Sequence, residues 1–173
     1  MESVKNIIRD VPDFPKEGII FKDITPLLAD PVAFQKTINI LKDRYANKNV
    51  DAVVGVEARG FIFASALAFA LGTGVVMVRK PGKLPYKTFQ ETYSLEYGTD
   101  TVEVHQDAFK SGQNVIIIDD VLATGGTLAA TLDLIQKNFE SVNIVEVAFL
   151  IELDFLNGRK KLKDSPVHSM IHY

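Results

Sequence analysis

Residues 115–127, VIIIDDVLATGGT, constrain this chain more than any other stretch. Val115 to Ile118 are consecutive β-branched apolar residues, which suits a strand buried on both faces of a parallel sheet. Leu128, Leu132, Ile135 and Phe139 then recur at steps of four, three and four, the spacing of an amphipathic helix. Between strand and helix lie Ala123, Thr124, Gly125, Gly126 and Thr127. The first N–H groups of a helix have no partner within it, so a helix start at the carboxyl edge of a sheet favours an anion. Glycines let the backbone come close to that anion, and threonines add hydroxyl donors. A phosphate is the ligand group this loop suits.

Asp119 and Asp120 are the unusual neighbours of such a site, because adjacent carboxylates repel a phosphate unless they have another task. Carboxylates accept hydrogen bonds and bind hard cations, so they suit sugar hydroxyls or a Mg²⁺ ion carried by the ligand. A phosphorylated sugar satisfies loop and carboxylates together. The plainer alternative is a solvated strand-end pair followed by an ordinary glycine turn.

The chain has 173 residues, 47% of them hydrophobic and 24% charged, which predicts one globular domain with a real core. No apolar run reaches roughly 18 residues, so no membrane partner is expected. The first residues, MESVKNIIRDV, lack an apolar signal region, and cysteine is absent. Disulfides, thiolate chemistry and a Cys-ligated zinc are thereby excluded, and a cytoplasmic location is expected. A net charge of −3 argues against a nucleic-acid partner.

Along the chain, a short helix precedes the Pro- and Gly-rich segment 13–28, which reads as irregular. Asp30 and Pro31 start a helix whose apolar face is Phe34, Ile38, Leu41 and Tyr45. Strands are expected at 52–56, 75–78, 93–97, 101–105, 142–151 and 167–172, with a nearly all-apolar helix at 61–71. Strands alternating with helices imply an α/β fold on a mostly parallel sheet, with ligands outside the carboxyl ends of the strands. Gly55 and Gly60 have the spacing of a nucleotide P-loop, but Phe61 and Ile62 stand where Lys and Ser or Thr are needed. The loop 55–60 nonetheless leaves one strand and enters the next helix, and Arg59 offers a planar fork to phosphate oxygens. Arg79, Lys80 and Lys83 cluster at the end of the next strand; solvated surface charge is the plain reading of such a cluster. His168 and His172 sit in an alternating segment and suggest a terminal strand rather than metal ligands.

The run 115–127 resembles the phosphoribosyl-pyrophosphate (PRPP) signature of the type I phosphoribosyltransferases: apolar strand, two acidic residues, then an ATGGT-like loop. The resemblance extends from Asp10 to about Leu162. Phe14 to Ile24 is similar to the hood of the adenine-using branch, and Tyr93-Ser94-Leu95-Glu96-Tyr97-Gly98 to its lid. It implies the type I phosphoribosyltransferase fold, a central twisted sheet flanked by helices, with a hood at about 10–28 and a mobile lid at about 84–100. The implied activity is purine salvage: adenine and PRPP give AMP and pyrophosphate, with Mg²⁺ held mainly by PRPP and pyrophosphate.

The resemblance also distributes roles. Residues 123–127 would hold the 5-phosphate, and Asp119 and Asp120 the ribose hydroxyls. Glu57, Ala58 and Arg59 would hold pyrophosphate on a loop that often contains a non-proline cis peptide, expected here at Glu57–Ala58. Arg79, Lys80 and Lys83 would converge on the same group, and the resemblance implies a homodimer in which one or more of them reach the neighbouring subunit's site. Glu96 would manage the proton of the purine ring nitrogen, with Tyr97 beside it. Backbone groups of Ile20 and Lys22 would read adenine's amino edge, with Ile20, Phe21 and Leu153 sandwiching the ring. Glu57-Ala58 departs from the Asp-Ser of some members, and 86–92 from simpler lids. A 6-oxopurine transferase would share the signature but not the hood and lid motifs. A PRPP-sensing regulator would need a DNA-binding region, and the roughly 50 residues before the strand at 52–56 carry no helix-turn-helix pattern or basic face.

Overall fold

The computed structural model describes residues 2–94, 98–162 and 164–173. The chain divides into two compact units, Met1–Arg44 and Tyr45–Tyr173.

The first unit begins with helix α1 (Glu2–Lys5), followed by an antiparallel pair, β1 (Arg9–Pro12) and β2 (Ile20–Asp23). Helix α2 (Thr25–Ala29) and most of helix α3 (Pro31–Tyr45) complete it. Asp30 caps α3 as its sequence predicts: Oδ1 accepts from the N–H groups of Val32 and Ala33, each at 2.9 Å. Ile38, Leu41 and Tyr45 are buried along its apolar stripe, while Phe34 is half-buried. Segment 13–28 corrects the irregular reading, since β2 and α2 fall within it. Four-residue strands are too short for an alternating pattern to stand out; residues 13–19, with Pro15, are irregular as expected, while Pro26 lies in the first turn of α2.

The second unit is built on a parallel five-stranded sheet in the order β4–β3–β7–β8–β9. Its strands are β3 (Ala52–Val56), β4 (Gly74–Val78), β7 (Asn114–Leu122), β8 (Asn143–Glu152) and β9 (Val167–His172). Strand β7 lies in the middle, and Val115 to Ile118 are buried as a two-sided parallel strand requires. Helix α4 (Gly60–Leu71) follows β3 and helix α5 (Gly126–Asn138) follows β7, so both start at the carboxyl edge of the sheet. Two 3-10 turns, Asp154–Leu156 and Gly158–Leu162, connect β8 to β9.

Strands β5 (Thr88–Ser94) and β6 (Thr99–His105) form a separate antiparallel hairpin. The strand expected at 93–97 therefore starts earlier, and Leu95, Glu96 and Tyr97 lie outside the described residues. The body of the hairpin is well anchored. Phe89 meets Phe139 edge-on with ring centroids 5.5 Å apart, and Lys137 of α5 pairs with Glu91 at 2.6 Å. At its base the buried Glu103 carboxylate accepts from Gln90 Nε2 at 3.0 Å, the Leu84 N–H at 3.2 Å and Thr88 Oγ1 at 3.4 Å. A buried carboxylate is tolerated because its oxygens are satisfied.

Candidate active site

Parallel pairing of β3 with β7 places Gly55 opposite Ile118, so the loops leaving these strands emerge side by side. Gly60 makes their approach possible. A Cβ there would lie 2.8 Å from the Ile118 carbonyl oxygen and 3.0 Å from Asp119 Oδ1. The start of α4 thus sits against the acidic end of β7.

The loop after β7 has the form expected of an anion cradle. Gly125 is the N-cap of α5 in the left-handed region, with φ 75°, and no side chain caps the helix. The first helical backbone bond runs from the Ala129 N–H to the Gly125 carbonyl at 3.0 Å, so the amides of 126–128 precede the ladder. They border a cavity of about 90 Å³ lined by Asp119 and by Val121 to Leu128, which brings Ala123, Thr124, Gly125, Gly126 and Thr127 together.

A residue that the sequence reading missed supports this loop from behind. Gly158 is buried, and a Cβ on it would collide with the Ala123 carbonyl oxygen and lie 3.0 Å from the Gly125 nitrogen. A Cβ on Gly125 would in turn strike the Gly158 carbonyl. Loop and 3-10 segment therefore meet backbone to backbone. The neighbouring Arg159 fixes the segment by a two-pronged bond to Glu152, at 3.0 and 2.5 Å. Asn157, just before Gly158, has positive φ; the Asn-Gly pair signals a turn in the sequence but not the backbone that approaches it. Leu153 is half-buried at the head of the same segment, its N–H donating to the Leu122 carbonyl at 2.9 Å.

The two aspartates have different surroundings. Asp120 is buried and paired with Arg59, while the Asp119 carboxylate accepts from the Asp120 N–H at 2.9 Å. Packing around the Asp119 carboxyl, then the charge of Asp120, push its pKa well above the ordinary carboxylate value, and Arg59 only partly opposes them. Such a group calls for a hydroxyl or a cation beside it.

The loop from β3 carries a cis peptide at Glu57–Ala58, at the expected position. Arg79 holds Glu57 through Nε and Nη2, each at 3.2 Å, and the Lys80 N–H donates to the same carboxylate at 2.9 Å. Burial alone would raise the Glu57 pKa, but these donors and the charges of Arg79 and Lys83 outweigh it and hold it below the usual value. Lys80 pairs with Asp100 of β6. The structure thus brings Glu57, Ala58, Arg59, Arg79, Lys80 and Lys83 into one charged region near the head of β7.

Ile20, Phe21 and Lys22 belong to the first unit. Phe21 packs edge-on to Phe14 at 5.2 Å, and Lys22 Nζ bonds Asp10 at 2.7 Å. Ile20 is exposed, and Pro12, its partner in the β1–β2 ladder, has no N–H to offer its carbonyl. Glu96 and Tyr97 lie outside the described residues. Glu152, Asp154 and His172 also approach one another closely enough to suggest metal ligation, but Glu152 is committed to Arg159 and to Ser169 Oγ at 2.5 Å.

A parallel sheet with an acidic strand end, an anion loop and a cationic loop at one edge defines a phosphoribosyl-transfer site. The chain belongs to the phosphoribosyl transferase domain family, whose pattern matches residues 24–170. It is 58% identical to the adenine phosphoribosyltransferase of Geobacter metallireducens, over the whole of both chains. Among solved structures, the adenine phosphoribosyltransferase of Thermoanaerobacter pseudethanolicus superposes with a TM-score of 0.94 at 48% identity, covering 99% of each chain. That of Saccharomyces cerevisiae, solved with an imino-altritol bisphosphate and adenine, gives 0.91 at 43% identity over 98% of this chain and 97% of its own. The resemblance read from the signature, hood and lid motifs is borne out.

Proposed function

We propose that the protein transfers the 5-phosphoribosyl group of PRPP to adenine, giving AMP and pyrophosphate, as a purine-salvage enzyme. The observation that carries this reading is the pairing of two anion loops, 123–127 and 57–60, across the acidic end of β7. They suit the two phosphate ends of one ligand, with ribose between them.

In this account the 126–128 amides and the hydroxyls of Thr124 and Thr127 hold the 5-phosphate. Asp119 and Asp120 accept from the ribose hydroxyls, which relieves the crowding of the two charges. Arg59, Arg79, Lys80 and Lys83 surround the departing pyrophosphate. Mg²⁺ fits the hard oxygen donors of the acidic pair and the phosphates, and when bound it neutralises charge on the leaving group. As the bond from C1 of ribose to pyrophosphate breaks, a purine ring nitrogen forms a bond to that carbon and Glu96 takes its proton, a task worth about 10²–10⁴-fold. Ile20 and Lys22 read the amino edge of adenine through their backbone, and Phe21 and Leu153 flank the ring. A 6-oxopurine reverses that donor–acceptor pattern and leaves buried groups unpaired.

A cytoplasmic homodimer completes the proposal. Phe69 on α4 is 90% exposed, and Ile62, Val75 and Met77 are exposed on α4 and the edge strand β4. A second copy of the chain covering this apolar face removes it from water. Phe69→Glu should then yield monomers in light scattering; a wild-type monomer would sink the dimer.

The activity test is direct. Protein with adenine, PRPP and Mg²⁺ should form AMP and pyrophosphate in equal amounts, and chelating the metal should stop it. Absence of AMP under these conditions contradicts the assignment.

A further inference from the structure

A chain of contacts links the two anion loops through the hairpin. Lys80, placed on the pyrophosphate side, pairs with Asp100 of β6. Tyr93, opposite Asp100 in the β5–β6 ladder, places its hydroxyl 3.1 Å from Asp100 Oδ2 and 2.9 Å from Thr127 Oγ1. Its ring lies against the phosphate loop: a Cβ on Gly126 would be 3.5 Å from two of its carbons.

The protons in this chain can be assigned from valence. The hydrogen bond from Lys80 outweighs burial and holds the Asp100 carboxyl below its ordinary range, so it is an acceptor. Two oxygens 3.1 Å apart with no proton between them repel, and the proton available is that of Tyr93. Tyr93 therefore donates to Asp100. Having no second proton, it accepts from its two remaining neighbours, Thr127 Oγ1 and, at 3.5 Å, Lys80 Nζ. The one hydroxyl proton of Thr127 then points at the hairpin rather than into the loop, and Lys80 is neutralised by an internal carboxylate.

We propose that Tyr93 and Asp100 are positioning residues that gate PRPP: they hold Thr127 and Lys80 until the 5-phosphate and pyrophosphate displace them together. The proposal rests on the phosphoribosyl-transfer reading of the two loops. Its consequence is coupling. Filling either anion site removes one end of the relay and loosens the hairpin's grip on the other.

The test is calorimetric titration of ribose 5-phosphate and of pyrophosphate, each with Mg²⁺, into the full chain, Tyr93→Phe, Asp100→Asn and the double variant. Tyr93→Phe keeps the ring on Gly126 and removes the acceptor for Thr127. It should tighten ribose 5-phosphate about threefold to tenfold, the range of one hydrogen bond. Asp100→Asn should tighten pyrophosphate by a similar factor, and the double variant should gain less than the product of the two. In turnover, each single variant should lower KM for PRPP without raising kcat, a split that mere structural damage would not give. Unchanged or weaker binding of its own anion in either folded variant overturns the gate. A wild-type protein that binds neither anion would instead remove the site on which the gate rests.

Discussion

The two loops at the carboxyl edge of the sheet, which we propose hold the two anions, are built by opposite means. The loop after β7 is built from backbone: Gly125 turns left-handed, α5 opens with unclaimed amides, and Gly158 props it from behind. The loop after β3 and the end of β4 are built from cations, and Arg59, Arg79 and Lys80 already hold Asp120, Glu57 and Asp100. A backbone cradle is ready before its ligand arrives, and its cost is met in folding. A cationic cradle must exchange partners, so its affinity is a difference between two sets of ion pairs. That contrast suits a reaction in which ribose phosphate is retained and pyrophosphate must leave.

Four changes test the contrast, beginning with the largest effect. Glu96→Gln removes the proposed acid–base group and no proposed anion contact, so turnover should fall by about 10²–10⁴-fold while calorimetry finds PRPP binding nearly intact; full activity would remove Glu96 from the mechanism. Gly158→Ala should disturb the backbone cradle alone. Overpacking of about 1–3 kcal/mol corresponds to about fivefold to 150-fold in affinity for ribose 5-phosphate, with pyrophosphate affinity unchanged; equal losses for both would mean the cradles are not separate. Asp120→Asn removes a charged acceptor from the ribose and the partner of Arg59, and should weaken PRPP about tenfold. Unchanged kinetics there would make the acidic pair structural.

Glu57→Gln should have the smallest effect. Arg79 and the Lys80 amide hold the Glu57 carboxyl below its ordinary 4.5, so the pairing contributes fully above that value and is lost as pH falls through the lowered one. Because the pair is partly exposed, it is worth less than about 1 kcal/mol. Thermal melts should find the wild type slightly more stable at neutral pH, with the gap closing in acid. A gap that widens in acid would reverse the assignment.

Much of the backbone cradle was legible in the sequence because its parts are contiguous. Strand, acidic pair, glycines and helix follow one another from Val115 to Phe139, and each obeys a local rule. The position of the cis peptide came with the motif resemblance, not from local physics. Gly158 was not legible, since its role is to let one backbone pass another far away in sequence, and a glycine carries no mark of what approaches it. Asp100 was equally silent: it fell at the end of the expected lid, before the strand expected at 101–105, and a lone carboxylate there reads as solvated until β5 and β6 pair. The β1–β2 ladder was hidden by Pro12 within it and Pro15 in the turn that follows. Thr88 to Ser94 did alternate, with Phe89 and Tyr93 on the inner side, but the nearby glycine and proline punctuation drew attention to the segment's end.

The measurement closest to the central claim is AMP or other nucleotide formation from PRPP and Mg²⁺ with adenine, hypoxanthine, guanine and xanthine in parallel. Product from adenine alone is the predicted result. Product from a 6-oxopurine at a comparable rate would contradict the assignment of Ile20 and Lys22 to adenine's amino edge, and silence with all four would contradict phosphoribosyl transfer itself.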